Sequence, residues 1–191
     1  MPSKRLCAVM TAVILLCGCS AVRSPEQLAD SVRAQYAGCA QIRAAVEIRA
    51  DSGEEYTDYT VEIAYENGDP PHASITVCCP DSIAGVTAEY EADSGTLTYG
   101  DTVLQTLLPE RGGLTPVDAA PAVLYSLIAE QPASVWAEED TLVLRFEEER
   151  EEGTVVRELS LGLSDGLPQT ARIFCNGTQM IVCHFSDVQV R

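Results

Sequence analysis

Positive charge and aromatic side chains are both scarce in this 191-residue chain. Lysine and arginine together number 12, against 29 aspartate and glutamate residues, so the formal net charge is −17. A surface with this balance repels nucleic acid and anionic lipid headgroups, which excludes a nucleic-acid-binding role. Aromatic residues make up only 6% of the chain, yet 46% is hydrophobic, far more than a disordered acidic segment contains. The composition therefore predicts one folded domain with an acidic surface.

No apolar run in the sequence reaches the roughly 20 residues that a helix needs to cross a bilayer. The apolar run at residues 6–16 is interrupted only by Thr11, and it follows the basic pair Lys4 and Arg5. A basic start followed by a short apolar stretch is typical of an export signal. We therefore expect residues 1–18 to be a signal peptide and not a transmembrane anchor.

The end of this signal, Leu16-Cys17-Gly18-Cys19, resembles the cleavage box of bacterial lipoproteins. In that family an aliphatic residue, a small residue and Gly or Ala precede the Cys that receives diacylglycerol and becomes the new N-terminus. Leu16, Gly18 and Cys19 match, whereas Cys17 departs from the small-residue position. Lipidation of Cys17 would place bulky Leu16 just before the cleaved bond, so we expect cleavage between Gly18 and Cys19. The alternative is an ordinary secretory signal, cut nearby, that releases a soluble protein.

Processing at this point would make the chain more acidic. Residues 19–191 contain ten arginines, no lysine and all 29 acidic residues, which gives a net charge of −19. Two acyl chains suffice for stable anchoring, and repulsion would hold such a domain off an anionic bilayer. We expect residues 19–23 to form the lipidated N-terminus and tether, and residues 24–191 to form one domain on the extracytoplasmic face of the cell membrane.

Two helices and a long series of strands are predicted for residues 24–191. Ser24-Pro25-Glu26-Gln27 is typical of a helix start, and an apolar residue then recurs every four positions until Gly38. A second helix is expected to begin near Pro121 or to be broken there. Elsewhere apolar and polar residues alternate between turn sequences such as Asn176-Gly177, which predicts nine to eleven antiparallel strands with one polar face. A sheet of that size must curl and be covered, and the two helices are the expected cover.

Three patterns associated with chemistry in other proteins have simpler interpretations here. Gly162-Leu163-Ser164-Asp165-Gly166 matches a nucleophile elbow but falls between two predicted strands, so we expect a β-turn. The two histidines, His72 and His184, have no recognisable catalytic setting. The acid run Glu147-Glu148-Glu149 lacks the ligand spacing and central glycine of a calcium loop, so we expect a solvated hairpin tip. The sequence therefore predicts no enzyme activity, no metal and no cofactor.

Five cysteines remain beyond the signal and its terminal cysteine: Cys39, Cys78, Cys79, Cys175 and Cys183. Because this number is odd, at least one thiol stays free, and the sequence leaves the pairing of the others open. Cys175 and Cys183 face opposite ways in their predicted hairpin, as do Cys78 and Cys79 in their strand, so neither pair is expected to bond. A metal site with His184 has no Cys-x-x-Cys spacing to support it. Small buried apolar side chains are the simpler interpretation.

A short signature occupies residues 159–190. A strand ends there at Gly166-Leu167-Pro168, a hairpin follows, and the last strand ends in Phe185-Ser186-Asp187-Val188. This resembles the C-terminal signature of the lipoprotein-carrier superfamily, the LolA/LolB-like carriers and receptors with Gram-positive relatives that include clostridial spore-germination lipoproteins. The order of helix, strand meander, helical interruption and further strands agrees over residues 24–190. The resemblance implies a mainly β (α+β) fold, a curved, incomplete antiparallel β-barrel of about 9–11 strands wrapped over two helices.

The same resemblance implies a function. In relatives an apolar hollow beneath the sheet takes up acyl chains, and the family has no catalytic residues. On this interpretation the protein is a non-enzymatic, membrane-anchored lipoprotein that binds a lipid or acylated ligand. The alternative is an envelope lipoprotein that positions or activates a basic peptidoglycan hydrolase in spore germination, which suits the −19 charge. The residues whose alternation would place them in the hollow are Tyr59, Val61, Ile63, Ile75, Val77, Tyr90 and Leu144.

Lipidation at Cys19 is directly measurable. Because Gly18 and Cys19 match the lipoprotein cleavage box, we expect mass spectrometry of the membrane fraction to find a protein whose N-terminus is diacylated Cys19. An unmodified protein in the culture medium would contradict this prediction and favour the ordinary secretory signal.

Overall fold

The computed structural model describes residues 23–91, 94–107, 112–151 and 153–191. Gly18 and Cys19, the predicted cleavage and lipidation site, lie outside these residues. Within the described ranges, neither helix combines the length and the hydropathy required to cross a bilayer.

One open antiparallel sheet of eleven strands, with two helices against it, makes up the described part of the chain. The spatial order of the strands is β6-β5-β4-β3-β2-β1-β11-β10-β9-β8-β7, so pairing of β1 with β11 joins two meanders. This confirms the predicted incomplete antiparallel barrel over two helices. The helices are α1 (Pro25–Ala37) and α2 (Ala119–Ala129). The strands are β1 (Gln41–Asp51), β2 (Tyr56–Glu66), β3 (His72–Cys79), β4 (Thr87–Glu91), β5 (Ser94–Tyr99), β6 (Thr102–Leu107), β7 (Ser134–Glu138), β8 (Thr141–Arg150), β9 (Gly153–Gly162), β10 (Pro168–Cys175) and β11 (Thr178–Val190).

Helix α1 begins where its capping signal predicts. The backbone N–H of Gln27 donates to Ser24 Oγ, and the backbone N–H of Ser24 donates to Gln27 Oε1, which completes a capping box. Pro25 occupies the first helical position and Gly38 caps the C-terminal end. The buried side chains of Ala29 and Tyr36 face the core, and the helix packs against α2, β7 and β8.

Helix α2 is the main cover of the sheet. Pro121 lies in its first turn, as predicted, where a missing N–H costs nothing. Val123, Leu124 and Leu127 are each 1% exposed or less, and the helix packs against β2, β9 and β11. A helix that is apolar on nearly every side is buried on nearly every side. It therefore covers strands from both meanders.

Strict alternation gives the sheet an apolar inner face and a polar outer face. The exposed residues of β1 include Arg43, Glu47 and Arg49, and they alternate with buried ones. Val46 pairs with Val61 on β2, which carries the same alternation across the sheet. The buried residues of β1 are Ile42, Ala44, Val46 and Ile48.

The turn that carries the family signature docks on helix α1. Residues 162–166 form the turn between β9 and β10, which confirms the β-turn interpretation of the elbow-like pattern. Gly166 has a φ of 69°, a conformation that favours glycine. The Tyr36 hydroxyl donates to the carbonyl oxygen of Gly166 at 3.1 Å, so the turn is tied to the N-terminal helix.

All five cysteines in the described residues are free thiols. Cys39 and Cys183 are buried, as predicted for small apolar side chains. Cys79 is exposed, so that interpretation is wrong for this residue, which is the last of β3 and precedes Pro80. Cys78 and Cys175 are half-buried.

The bond between Tyr36 and the signature turn is expected to contribute to stability. Tyr36→Phe removes a buried hydroxyl donor from the Gly166 carbonyl, so the free energy of unfolding should fall by about 1 kcal/mol in urea denaturation. The matched control is Tyr56→Phe, because Tyr56 is 68% exposed, and its effect should stay within about 0.5 kcal/mol. Equal losses in the two variants would contradict the prediction.

Candidate functional site

The inner face of the sheet brings the seven predicted hollow residues onto one surface. On β2 and β3, Val61 lies opposite Val77 and Ile63 lies opposite Ile75. Tyr59 and Tyr90 are half-buried and pack against the core. The members that are 3% exposed or less are Val61, Ile63, Ile75, Val77 and Leu144.

Five of the seven predicted hollow residues are packed against other protein atoms. Side chains that are 3% exposed or less contact protein on nearly all sides, so no water-sized space lies beside these five. Helix α2 packs against β2, the strand that carries Val61 and Ile63. In the described residues α2 therefore covers Val61 and Ile63, whereas Tyr59 and Tyr90 on the same face are half-buried. Their role as the lining of a ligand hollow stays a prediction.

An inward-facing arginine interrupts the apolar surface on β9. Arg157 alternates in step with the buried residues of its strand and is 1% exposed. Its guanidinium donates to Glu148 on β8 at 2.9 Å and to Glu130 at 3.1 Å. A third contact, at 3.4 Å, reaches the carbonyl oxygen of Gly112. Because Glu130 is the C-cap of α2, Arg157 links the sheet to the end of the covering helix and to the loop that precedes it.

Glu148 is held between two arginines. Its Oε1 accepts from Arg150 Nη2 at 2.7 Å, and its Oε2 accepts from Arg157 Nη1 at 2.9 Å. Burial acts to raise the pKa of Glu148, but the bonds from Arg157 and Arg150 outweigh it, so the pKa lies below the ordinary value. The expected solvated tip is therefore wrong for this residue. The alternation of β8 places Glu148 on the same face as buried Phe146 and Leu144.

A second buried carboxylate closes the loop that leads into α2. Asp118 Oδ1 accepts from the backbone N–H and the hydroxyl of Thr115, both at 2.7 Å, and Oδ2 accepts from the N–H of Gly113 at 3.3 Å. Burial raises the pKa of Asp118, although these hydrogen bonds oppose the rise. Burial, with the charge of Asp118 as a lesser cause, also raises the pKa of the Cys183 thiol to about 12. The buried hydroxyl of Tyr90 has no hydrogen-bond partner among the described residues, and burial raises its pKa as well.

These buried groups hold the covering helix and its loop in place. Arg157 is engaged by carboxylates, and Asp118 is engaged by the loop it closes. Both histidines lie elsewhere: His72 pairs with Glu89 at 2.7 Å, and His184 contacts the Thr170 hydroxyl at 3.3 Å. Among the described residues, no three His, Cys, Asp or Glu side chains are grouped as metal ligands. The arrangement can fix or release α2, and its geometry is that of a structural clamp.

Arg157, Glu148, Glu130 and Asp118 were not among the residues predicted to form a site. A signal for two of them exists in the alternation, because Arg157 keeps step with Leu159 and Glu148 with Leu144, both predicted to be apolar-face residues. No local pattern marks Glu130 or Asp118, since their partners belong to other elements.

Several solved structures have a fold similar to that of this chain. Neither a protein-family model nor a curated protein sequence matches the chain. A DUF1329 family protein from Desulfovibrio piger is similar with a TM-score of 0.55 and 8% identity, over 88% of this chain and 94% of that one. A second similar chain comes from the structure of the CwlD amidase from Clostridioides difficile in complex with the GerS lipoprotein. Its TM-score is 0.50 and its identity 15%, over 88% of this chain and 97% of that one. A LolA superfamily protein from Nitrosomonas europaea has a TM-score of 0.47 and 10% identity, over 88% and 94%. The expected fold, an incomplete antiparallel β-barrel over two helices, is confirmed by the strand order and agrees with the two similar structures whose TM-scores are 0.50 and 0.55.

Removing the central arginine should destabilise the protein strongly. Arg157→Met leaves half-buried Glu130 without its arginine and Glu148 with Arg150 alone, so the free energy of unfolding should fall by about 2 kcal/mol in urea at neutral pH. The control is Arg172→Met on exposed β10 surface, where a change within about 0.5 kcal/mol is expected.

The wild type and Arg157→Met should also differ in how much their free energy of unfolding falls in acid. The folded-state pKa of Glu148 is lowered from 4.5, so its contribution to stability is complete above pH 4.5 and is lost as the pH falls through the folded-state pKa. Arg157→Met should therefore lose less stability than the wild type between neutral pH and pH 3. An unchanged acid dependence in Arg157→Met would contradict the assignment.

Proposed function

We propose that the protein is a non-enzymatic, lipid-anchored envelope protein that acts by binding a basic protein partner, in the first instance a peptidoglycan hydrolase that it positions or activates in spore germination. The observation that carries this proposal is the contrast between the two faces of the sheet. The inner face at β2, β9 and β11 is covered by the chain's own helix α2, whereas the outer face is polar. Binding therefore falls to the outer surface.

Charge and fold support the same choice. Residues 19–191 carry a net charge of −19, which speeds encounter with a basic partner and disfavours anionic ones. The similar chain in the complex of CwlD amidase with the GerS lipoprotein is a precedent for this fold in an assembly with a cell-wall amidase. That likeness, at 15% identity, supports the fold only, so the partner class rests on surface chemistry.

A second candidate function is the binding of a lipid or acylated ligand beneath the sheet. The observation in its favour is the buried Tyr90 hydroxyl on the inner face, for which the described part of the chain provides no hydrogen-bond partner. An unpaired buried hydroxyl is costly, and a ligand's polar group would satisfy it. This function requires α2 to move away from β2.

One experiment separates the two candidates. The full lipidated chain is purified from membranes in detergent and mixed with each peptidoglycan hydrolase of its own cell. We expect a basic hydrolase to form a stoichiometric complex by light scattering, with an affinity that falls as salt rises. Organic extraction of the same preparation, followed by mass spectrometry, tests for a retained lipid. Absence of any hydrolase complex together with one bound lipid per chain would overturn the partner role and favour the carrier role.

A further inference from the structure

Two adjoining depressions on the outer face of the sheet form one trough. The larger, of about 900 Å³, lies over β11, β1 and β2 and includes Glu47, Asp58 and His184. The smaller, of about 290 Å³, includes Glu62 and Asp187. They adjoin because Glu47 pairs with Thr60 and the next outward pair along the strands is Ala45 with Glu62. We call this surface the outer trough.

Three carboxylates in the outer trough have no ionic partner within the part of the chain that the structure describes: Glu47, Glu62 and Asp187. Asp58 is neutralised, since Arg49 binds its two oxygens at 2.7 and 3.1 Å. Arg43 is the trough's other arginine, and its Nε donates to Gln41 at 3.0 Å. His184 faces Thr170. The balance of free charge in the trough is therefore negative.

The position of Asp187 is itself unusual. It lies where the register between β1 and β11 shifts, and it has a φ of 52°. A non-glycine residue in this left-handed conformation is uncommon and costs free energy that the surroundings must supply. The bulge delivers a carboxylate to the same trough as Glu62.

The dimensions of the trough suit an extended peptide. From Arg43 to Arg49 the trough follows six steps of β1, or about 20 Å at roughly 3.3 Å per residue. Glu47 and Glu62 stand in diagonal register on neighbouring strands, which separates them by about 7–8 Å. In an extended peptide every second side chain lies on the same side, and neighbouring side chains on that side are about 6.7 Å apart. Lysines or arginines at alternate positions would therefore meet successive carboxylates.

We propose that the outer trough binds an extended segment of the partner with basic residues at alternate positions. This rests on the proposed function and names the surface that performs it. A second copy of this chain does not fit, because each copy presents the same free carboxylates. A membrane surface or a nucleic acid is repelled for the same reason.

The test uses a peptide of twelve residues with lysine alternating with serine, and a second peptide of identical composition with the six lysines in one block. The full chain in detergent is treated with a carbodiimide, which joins lysine amines to carboxylates. Because residues 19–191 contain no lysine, almost every cross-link joins the chain to the peptide. We expect the alternating peptide to cross-link at Glu47, Glu62 and Asp187, and to bind more tightly than the block peptide by fluorescence anisotropy.

Charge-matched variants decide whether the trough or the overall charge is responsible. Glu47→Gln with Glu62→Gln should weaken binding of the alternating peptide about fivefold. The control, Glu138→Gln with Glu151→Gln, removes two exposed acids outside the trough and should change binding less than twofold. Equal losses, cross-links elsewhere, or binding of a muropeptide in place of the basic peptide would overturn the proposal. If the Glu47→Gln, Glu62→Gln variant still forms the hydrolase complex, the trough is not the binding surface, although the proposed partner role is unaffected.

Discussion

The contact between buried Arg157 and half-buried Glu130 is the interaction on which the position of helix α2 depends. An arginine that is 1% exposed cannot remain without carboxylate partners, because removing a charge from water costs far more than packing returns. Glu130 caps the end of α2, so the helix must end where Arg157 can reach it. At the other end, Asp118 closes the loop through Thr115 and Gly113. Apolar packing alone would not give this fixed placement. Since α2 is apolar on nearly every side, rotation about its axis exchanges one apolar contact for another, and half-buried Glu130 and buried Asp118 select one arrangement.

Local signals were sufficient to predict the architecture, and long-range partners were not. The capping box at Ser24, the Asn176-Gly177 turn and the period-2 alternation each act within a few residues, and each appears in the structure as expected. The alternation of β9 also puts Arg157 in step with the buried residues of its strand. It could not say what neutralises it, because Glu130 is 27 residues away and Gly112 is 45 residues away. The acid run at Glu148 was misjudged for the same reason, since a carboxylate on an inner face looks solvent-exposed until its arginines are known.

The candidate site shows why fold and function separate in this architecture. The same curved sheet can hold a ligand under its helices or keep that space filled, and the difference lies in a few side chains. Here five of the seven predicted hollow residues are 3% exposed or less, and the helix above them is clamped at both ends. A ligand that displaced α2 from β2 would also have to break the contacts of Arg157 with Glu130 and with the carbonyl oxygen of Gly112. A protein that binds through its outer face has no such cost.

Many of the chain's arginines are engaged in ion pairs with its own carboxylates. Beyond the predicted signal every cation is an arginine, and several of these arginines are committed to internal contacts: Arg49 to Asp58, Arg145 to Glu147 and Glu158, and both Arg150 and Arg157 to Glu148. Arginine suits this use, because its planar fork satisfies two carboxylate oxygens at once. Positive charge is thus consumed in holding the fold, and the carboxylates left over face water. Such a surface offers mainly negative charge, so the positive charges of an electrostatic interface must come from the partner. An acidic domain tethered near an anionic bilayer would be pushed outward by the membrane and drawn to a basic partner by the same charges.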